Sequence, residues 1–139
     1  MRQDLIFAPM GALVFVTFFV LGFIPLRRFR GVFAGAVGPE DFKYGESPRV
    51  PGDISIPNRN YMNLLELPVL FYVGGILYFV AGRLDAVALD LAWAYVALRA
   101  VHSAIHMTYN RVVHRLIAFA LSNVVLMAFW AWFFIARHG

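Results

Sequence analysis

The sequence predicts an all-α integral membrane protein, folded as a single antiparallel bundle of four transmembrane helices spanning residues 1–139. The first observation is composition: 61% of the 139 residues are hydrophobic and 14% are charged. The mean hydropathy of +0.70 is too high for a soluble domain of this size. The second is that windows of about 20 residues are apolar on every face, which is the length that crosses about 30 Å of hydrocarbon.

The first predicted span covers residues 5–26 and begins close to Met1. It lacks a basic n-region, and no small-residue cleavage site follows it, so we expect a retained helix. Residues 27–60 are rich in Gly and Pro and carry charges of both signs. This composition predicts an irregular loop at the membrane surface.

The remaining spans are predicted at residues 62–82, 86–108 and 112–136, and their short connections make adjacent helices antiparallel neighbours. Cytoplasmic loops of membrane proteins carry the excess of Lys and Arg. The first and third loops, with the adjoining span ends, hold Arg27, Arg28, Arg30, Lys43, Arg49, Arg59, Arg111 and Arg115, against Arg2, Arg83 and Arg137 on the other side. Both termini are therefore predicted to lie on the non-cytoplasmic side.

The absence of cysteine excludes disulfides, thiolate metal sites and a thiol nucleophile supplied by the protein. The formal net charge of +4 is modest, and we expect no nucleic-acid partner. The short chain without an organelle-retention signal suits a bacterial inner membrane.

One acid lies inside an apolar stretch: Glu66, within residues 64–80. A charged residue near the centre of a spanning helix costs about 2.5 to 3.5 kcal/mol on insertion scales, so it marks a functional-site hypothesis. Arg59 and Asn63 precede it at spacings that place all three side chains on one helical stripe. Pro68 follows and is expected to bend the helix near the carboxylate.

A second polar stripe follows on the third span and continues into the fourth. Arg99, His102 and His106 are separated by three and four residues, and Arg111 and Arg115 lie one helical turn apart. With the predicted topology, these stripes and that of Glu66 meet in one cytoplasmic cavity. A net-positive, partly dry cavity suits a small anion, and its catalysis would rely on orientation and electrostatic stabilisation.

Plainer interpretations of these residues remain open at this stage. Glu66 is also explained by a structural ion pair with Arg59 or Arg99, and the two histidines by interior hydrogen bonds. The i, i+4 histidine pair suits a metal, but no third ligand is evident on the same helix, so no metal site is predicted. Four arginines are also typical of interfacial anchors: Arg27, Arg28, Arg30 and Arg111.

Two spaced motifs resemble a known family. The run from Arg59 to Pro68, R-x3-N-x2-E followed by Pro, is similar to the second-helix signature of the MAPEG family, the membrane-associated proteins in eicosanoid and glutathione metabolism. The run Arg99-x2-His102-x3-His106-x4-Arg111-x3-Arg115 resembles the sequence joining the third and fourth helices in the microsomal glutathione transferase and prostaglandin E synthase members. The chain looks most like an uncharacterised bacterial branch of the family.

The resemblance implies a homotrimer that binds glutathione as cosubstrate between subunits, while a lipophilic electrophile or hydroperoxide enters from the bilayer. Carried over by position, the glutathione-binding residues are Arg59, Asn63, Glu66, Arg99, His102, His106 and Arg111. Arg115 matches the arginine that stabilises the thiolate. Three positions depart from the family pattern: His106 replaces a Tyr, Leu116 replaces a Ser, and Pro68 comes one residue early.

Three functions follow as hypotheses. The first is a glutathione-dependent transferase or peroxidase, favoured by the register of Arg115. The second is a non-catalytic lipid-binding or scaffold member, favoured by the loss of Tyr at His106. The third is a membrane subunit that ligates haem or metal through His102, His106 or His114.

Overall fold

The computed structural model describes residues 1–136, and Arg137, which entered the topology prediction, lies outside the described residues. Within residues 1–136, five α-helices make up the fold: α1 (Phe7–Phe33), α2 (Gly52–Leu65), α3 (Pro68–Ala81), α4 (Ala86–Met107) and α5 (Val112–Ile135). Short 3-10 turns precede α1 and lie in the loop after it. The described part of the chain contains no β-strand.

In the described part of the chain, three helical stretches are long and apolar enough to cross a membrane: Gln3–Phe33, Gly52–Ala81 and Val112–Ile135. The prediction of an all-helical integral membrane protein is confirmed. The helix α4 has 22 residues but is not among these stretches. Asp90, Arg99 and two histidines lower its hydropathy.

The loop predicted at residues 27–60 needs correction at both ends. The helix α1 continues to Phe33, and α2 begins at Gly52, ten residues before the span predicted at 62–82. Pro57 suggested a loop, but it lies in the second turn of α2. Pro57 has no N–H for the carbonyl of Asp53, and Nη1 of Arg27 donates to that carbonyl instead, at 3.1 Å. The side chain of Arg27 thus compensates for the missing helical hydrogen bond.

The remaining loop is ordered around the carboxylate of Asp41. It accepts hydrogen bonds of 2.9 Å from the backbone N–H of Gly38 and from the hydroxyl of Ser47. These hydrogen bonds lower the pKa of Asp41 below its ordinary value, and the bond from the backbone N–H of Gly38 has the larger effect.

The second predicted span is two helices, because the chain leaves helical geometry at Glu66, where ψ is −101°. Pro68 then begins α3 at a position where a helix needs no proline N–H. The bend expected near Pro68 is thus a complete break in the helix. It places the carboxylate of Glu66 at the end of α2.

Aromatic packing joins α3, α4 and α5 in the core. The hydroxyl of Tyr78 donates to the carbonyl of Phe129 at 2.7 Å, and the ring of Phe71 packs between those of Tyr95 and Phe129. Gly74 permits this approach, since a Cβ there would lie 2.8 Å from Cε1 of Phe129. The side chain of Phe129 is fully buried, and close packing of a protein interior resists its displacement.

Candidate functional site

A polar cavity of about 390 Å³ lies where α2 meets the end of α4 and the start of α5. Its volume is within the range of small-molecule sites. Five of the eight predicted site residues line it: Arg59, Asn63, Glu66, His106 and Arg115. The predicted convergence of three helices is therefore present for these five side chains.

One face of α2 forms a long wall of this cavity. Gly52, Ser55, Arg59, Asn63 and Glu66 follow one another at spacings of three or four residues, so helical periodicity points them the same way. The first two positions were not predicted, because the helix was expected to start only at residue 62. Extending the stripe of Arg59 toward the N-terminus by helical spacing identifies both Ser55 and Gly52.

Two charged side chains on this wall are exposed in the single chain: Arg59 and Glu66. Within the described residues, the carboxylate of Glu66 has no cationic group closer than 4.0 Å. The close ion pair with Arg59 or Arg99, considered as an alternative from the sequence, is therefore not formed. Both charges remain free to meet a ligand.

The turn between α4 and α5 sets the position of Arg115. Asn110 has a φ of 47°, in the left-handed region that asparagine tolerates well. Its backbone N–H donates to the carbonyl of Ile105 at 2.8 Å, which closes the end of α4. Its side-chain Oδ1 accepts a hydrogen bond of 2.8 Å from Nη1 of Arg115. Asn110 also lines the cavity, and its contact with Arg115 was not predicted from the sequence.

Arg99 lies behind the cavity wall and does not line it. It is 0% exposed, and its Nη2 donates at 2.8 Å to the carbonyl of Asn63. That carbonyl would bond the N–H of Leu67 in a continuous helix, so the guanidinium replaces a hydrogen bond lost at the break. Its Nε and Nη1 have no partner among the described residues.

The other two predicted residues also lie away from the lining. His102 is buried between His106 and Phe119, with ring centroids 6.0 Å and 5.8 Å away. Arg111 is exposed at the start of α5, where its carbonyl accepts the N–H of Arg115 at 3.0 Å.

A buried hydrogen bond holds α2 against α4 beside the cavity. The hydroxyl of Ser103 donates to Oδ1 of Asn60 at 3.1 Å, and both side chains are buried. Asn60 is next to Arg59 but faces α4, so this contact fixes the rotation of α2 and the direction of its cavity stripe. The described residues contain no group of three or more His, Cys, Asp or Glu side chains that could hold a metal ion.

These helices and the polar cavity between them define an integral membrane protein with a candidate small-molecule site in its helical bundle. A family model described as the MAPEG family matches residues 6–135, nearly the whole chain, and the protein belongs to that family. The resemblance drawn from the two motifs is thereby confirmed. The family includes glutathione-dependent transferases and peroxidases. No match to the chain was found among curated proteins or among solved structures.

Proposed function

We propose that this protein is a membrane-bound, glutathione-dependent transferase or peroxidase that acts on lipophilic electrophiles or hydroperoxides. The observation that carries the proposal is the cavity shared by Arg59, Asn63, Glu66, His106 and Arg115. Family membership supports the same chemistry.

The charges of the cavity suit glutathione as cosubstrate. Glutathione has two carboxylates, one ammonium group and a thiol. The two guanidinium groups of Arg59 and Arg115 complement carboxylate and thiolate, and the carboxylate of Glu66 complements the ammonium group. His106 adds a ring whose buried Nδ1 has no partner among the described residues.

In this proposal Arg115 stabilises the glutathione thiolate. One of its N–H groups is held by Asn110, which leaves the others to face the sulfur. The thiolate then attacks the electrophilic carbon and expels its leaving group, such as chloride from 1-chloro-2,4-dinitrobenzene, to form a thioether. With a hydroperoxide it attacks the terminal oxygen, which breaks the O–O bond, releases an alcohol and leaves glutathione sulfenic acid. A second glutathione converts that acid to glutathione disulfide and water. No cysteine of the protein takes part. Rate enhancement comes from orientation and from a preorganised positive charge.

The remaining predicted residues support the site from outside its lining. Arg99 holds the carbonyl of Asn63, which is itself a lining residue, and acts as a positioning residue. His102 packs against His106, and Arg111 lies at the rim near Arg115.

The proposal includes a homotrimer of subunits that each cross the membrane four times, so that α4 crosses it in addition to the three long apolar stretches. The exposure of Arg59 and Glu66 in the single chain supports a neighbouring subunit that covers the cavity. From the excess of Arg and Lys in the first and third loops, we propose that the site faces the cytoplasm and both termini lie on the opposite side, in a bacterial inner membrane.

A glutathione titration tests the proposal directly. We expect millimolar glutathione to raise the melting temperature of the detergent-purified protein, and the protein to conjugate 1-chloro-2,4-dinitrobenzene or reduce a lipid hydroperoxide. Arg115→Ala should lower turnover more than binding, whereas Arg59→Ala and Glu66→Ala should weaken binding. Arg49→Ala, an exposed loop arginine outside the cavity, serves as the control. The absence of both a thermal shift and turnover would contradict the proposal.

A second candidate is a non-catalytic lipid-binding member of the family. The observation that favours it is His106, which lies in the cavity lining where the resemblance leads us to expect Tyr. Glutathione or lipid binding without any turnover would support this candidate over the enzyme.

The third hypothesis is a membrane subunit that ligates haem or metal. The absorption spectrum and metal content of the purified protein are decisive for it, because a Soret band or bound metal would establish it.

A further inference from the structure

A second, apolar groove of about 420 Å³ runs between α1 and α4. Phe15, Phe19 and Phe23 line it from α1 at helical spacing. The other side is lined by α4 and the residue after it: Ala100, Ser103, Ala104, Met107 and Thr108. Two hydroxyl groups reach the groove, those of Ser103 and Thr108, and both already donate hydrogen bonds elsewhere in the protein. The groove therefore offers a hydrocarbon surface with no free polar group until its end.

That end is Arg27, which continues the same stripe of α1 one turn beyond Phe23. From Phe15 to Arg27 the groove follows α1 for about 18 Å at 1.5 Å per residue. This length is more than half of the hydrocarbon thickness of a bilayer, about 30 Å. The groove thus has the length and direction of a lipid acyl chain, with a charged residue where the chain would end.

Arg27 also lines a separate polar cavity of about 480 Å³, together with Arg30 and Asp53. The guanidinium of Arg27 is anchored there by the carbonyl of Asp53, the one left free by Pro57. Arg27 thereby joins the apolar groove to the polar cavity. Through this shared residue the two spaces together offer an amphiphilic path along α1, and neither shares a lining residue with the cavity of Arg115.

The charges in this polar cavity are not neutralised by one another. Among the described residues, neither Arg27 nor Arg30 has a nitrogen within 4.0 Å of the carboxylate of Asp53. Arg30 and Asp53 are exposed, and Arg27 is half-buried. A ligand that carries both an anion and a hydrogen-bonding cation would complement both kinds of group.

We propose that this path binds one molecule of a phosphoethanolamine lipid from the surrounding bilayer. Its acyl chain lies along the phenylalanine stripe of α1, its phosphate accepts hydrogen bonds from Arg27 and Arg30, and its primary ammonium group meets Asp53. A phosphocholine lipid has the same phosphate, but its quaternary nitrogen has no N–H to donate. A phosphoglycerol lipid has no cation for Asp53. The headgroup preference therefore follows from the three charged residues.

Titration of the purified full-length protein with phosphatidylethanolamine, phosphatidylcholine and phosphatidylglycerol of identical acyl chains tests this site. Native mass spectrometry counts bound lipid, and the melting temperature reports its effect on the fold. We expect saturation at one phosphatidylethanolamine per chain, with an apparent affinity about fivefold above that for phosphatidylcholine.

Variants separate the two halves of the headgroup site. Asp53→Asn should remove the preference over phosphatidylcholine, because among the described residues the carboxylate of Asp53 forms no ion pair that the change would break. Arg30→Gln should weaken all three lipids, and Arg27→Gln more so, since Arg27 joins both spaces. Arg49→Gln removes the same charge from the loop outside both spaces and should bind as the wild type does.

Equal affinity for the three headgroups would overturn the proposal, and would assign these arginines to general anchoring at the membrane surface. The same conclusion follows if Arg49→Gln weakens lipid binding as much as Arg30→Gln does. A groove that retains no lipid because a second copy of the chain covers it would also overturn it. None of these outcomes depends on whether glutathione binds.

Discussion

The hydrogen bond between Asn110 and Arg115 gives a quantitative test of how the site is assembled. The change is Asn110→Gly, which removes the acceptor Oδ1 that holds Nη1 of Arg115 at 2.8 Å. Glycine adopts the observed φ of 47° without strain, so the turn itself should be kept. The substitution therefore isolates the anchor of Arg115.

The magnitude follows from the type of hydrogen bond. A hydrogen bond to a charged group contributes about 1.5 to 3 kcal/mol, and the partly buried position of this one favours the lower end. At 1.36 kcal/mol for each factor of ten, a loss of about 1.5 kcal/mol corresponds to about tenfold. We expect turnover of the lipophilic electrophile to fall about tenfold, with little change in glutathione affinity, because Arg59 and Glu66 are untouched.

The assay is steady-state conjugation by the detergent-purified protein, with glutathione affinity measured separately by thermal shift. Tyr109→Phe is the matched control: its hydroxyl contacts His114 at 3.0 Å in the same turn, outside the cavity. Asn110→Gly should have no further effect in the Arg115→Ala background, since the anchored group is gone. Wild-type turnover in Asn110→Gly, or an equal loss in Tyr109→Phe, would refute the reasoning.

Two further predictions concern the fold. Gly74→Ala should be less stable than Gly22→Ala by about 1 to 3 kcal/mol. The reason is that a Cβ at position 74 meets a buried ring, whereas a Cβ at position 22 meets nothing within 4 Å. Equal melting temperatures of the two variants would contradict this packing. The lowered pKa of Asp41 means that its contribution to loop order is present above the ordinary carboxylate pKa and is lost as pH falls through the lowered value. The protection of the loop amides against hydrogen exchange, measured relative to their intrinsic exchange rate at each pH, should therefore fall in acid. Asp41→Asn should remove this pH dependence and Glu40→Gln should keep it, whereas a loss of protection in acid that persists in Asp41→Asn would assign it to another group.

The convergence of Arg59, Asn63, Glu66, His106 and Arg115 could be predicted because each pair within a helix follows helical spacing. The short turn after α4 then brings the helix ends together. Such local rules need no knowledge of packing. Family membership was likewise evident from spaced motifs, which depend on the order of residues along the chain.

The roles of Arg99 and Asn110 could not be predicted in this way. Arg99 lies on an expected stripe and Asn110 in the turn that follows α4, but the side chain of Arg99 turns inward to a backbone carbonyl and that of Asn110 holds a neighbouring arginine. Which partner a polar group takes depends on which backbone groups the fold leaves free. The break at Glu66 created one of them, and helical spacing gives no sign of it.

Sequence alone therefore determined that this chain is helical, apolar enough for a membrane and polar along a few stripes, because composition and periodicity act locally. Only the tertiary structure decided where α2 begins, which stripe residues reach the cavity and which support it from behind. The physical reason is that every buried backbone or side-chain polar group must find a partner, and in this protein several of those partners come from other helices.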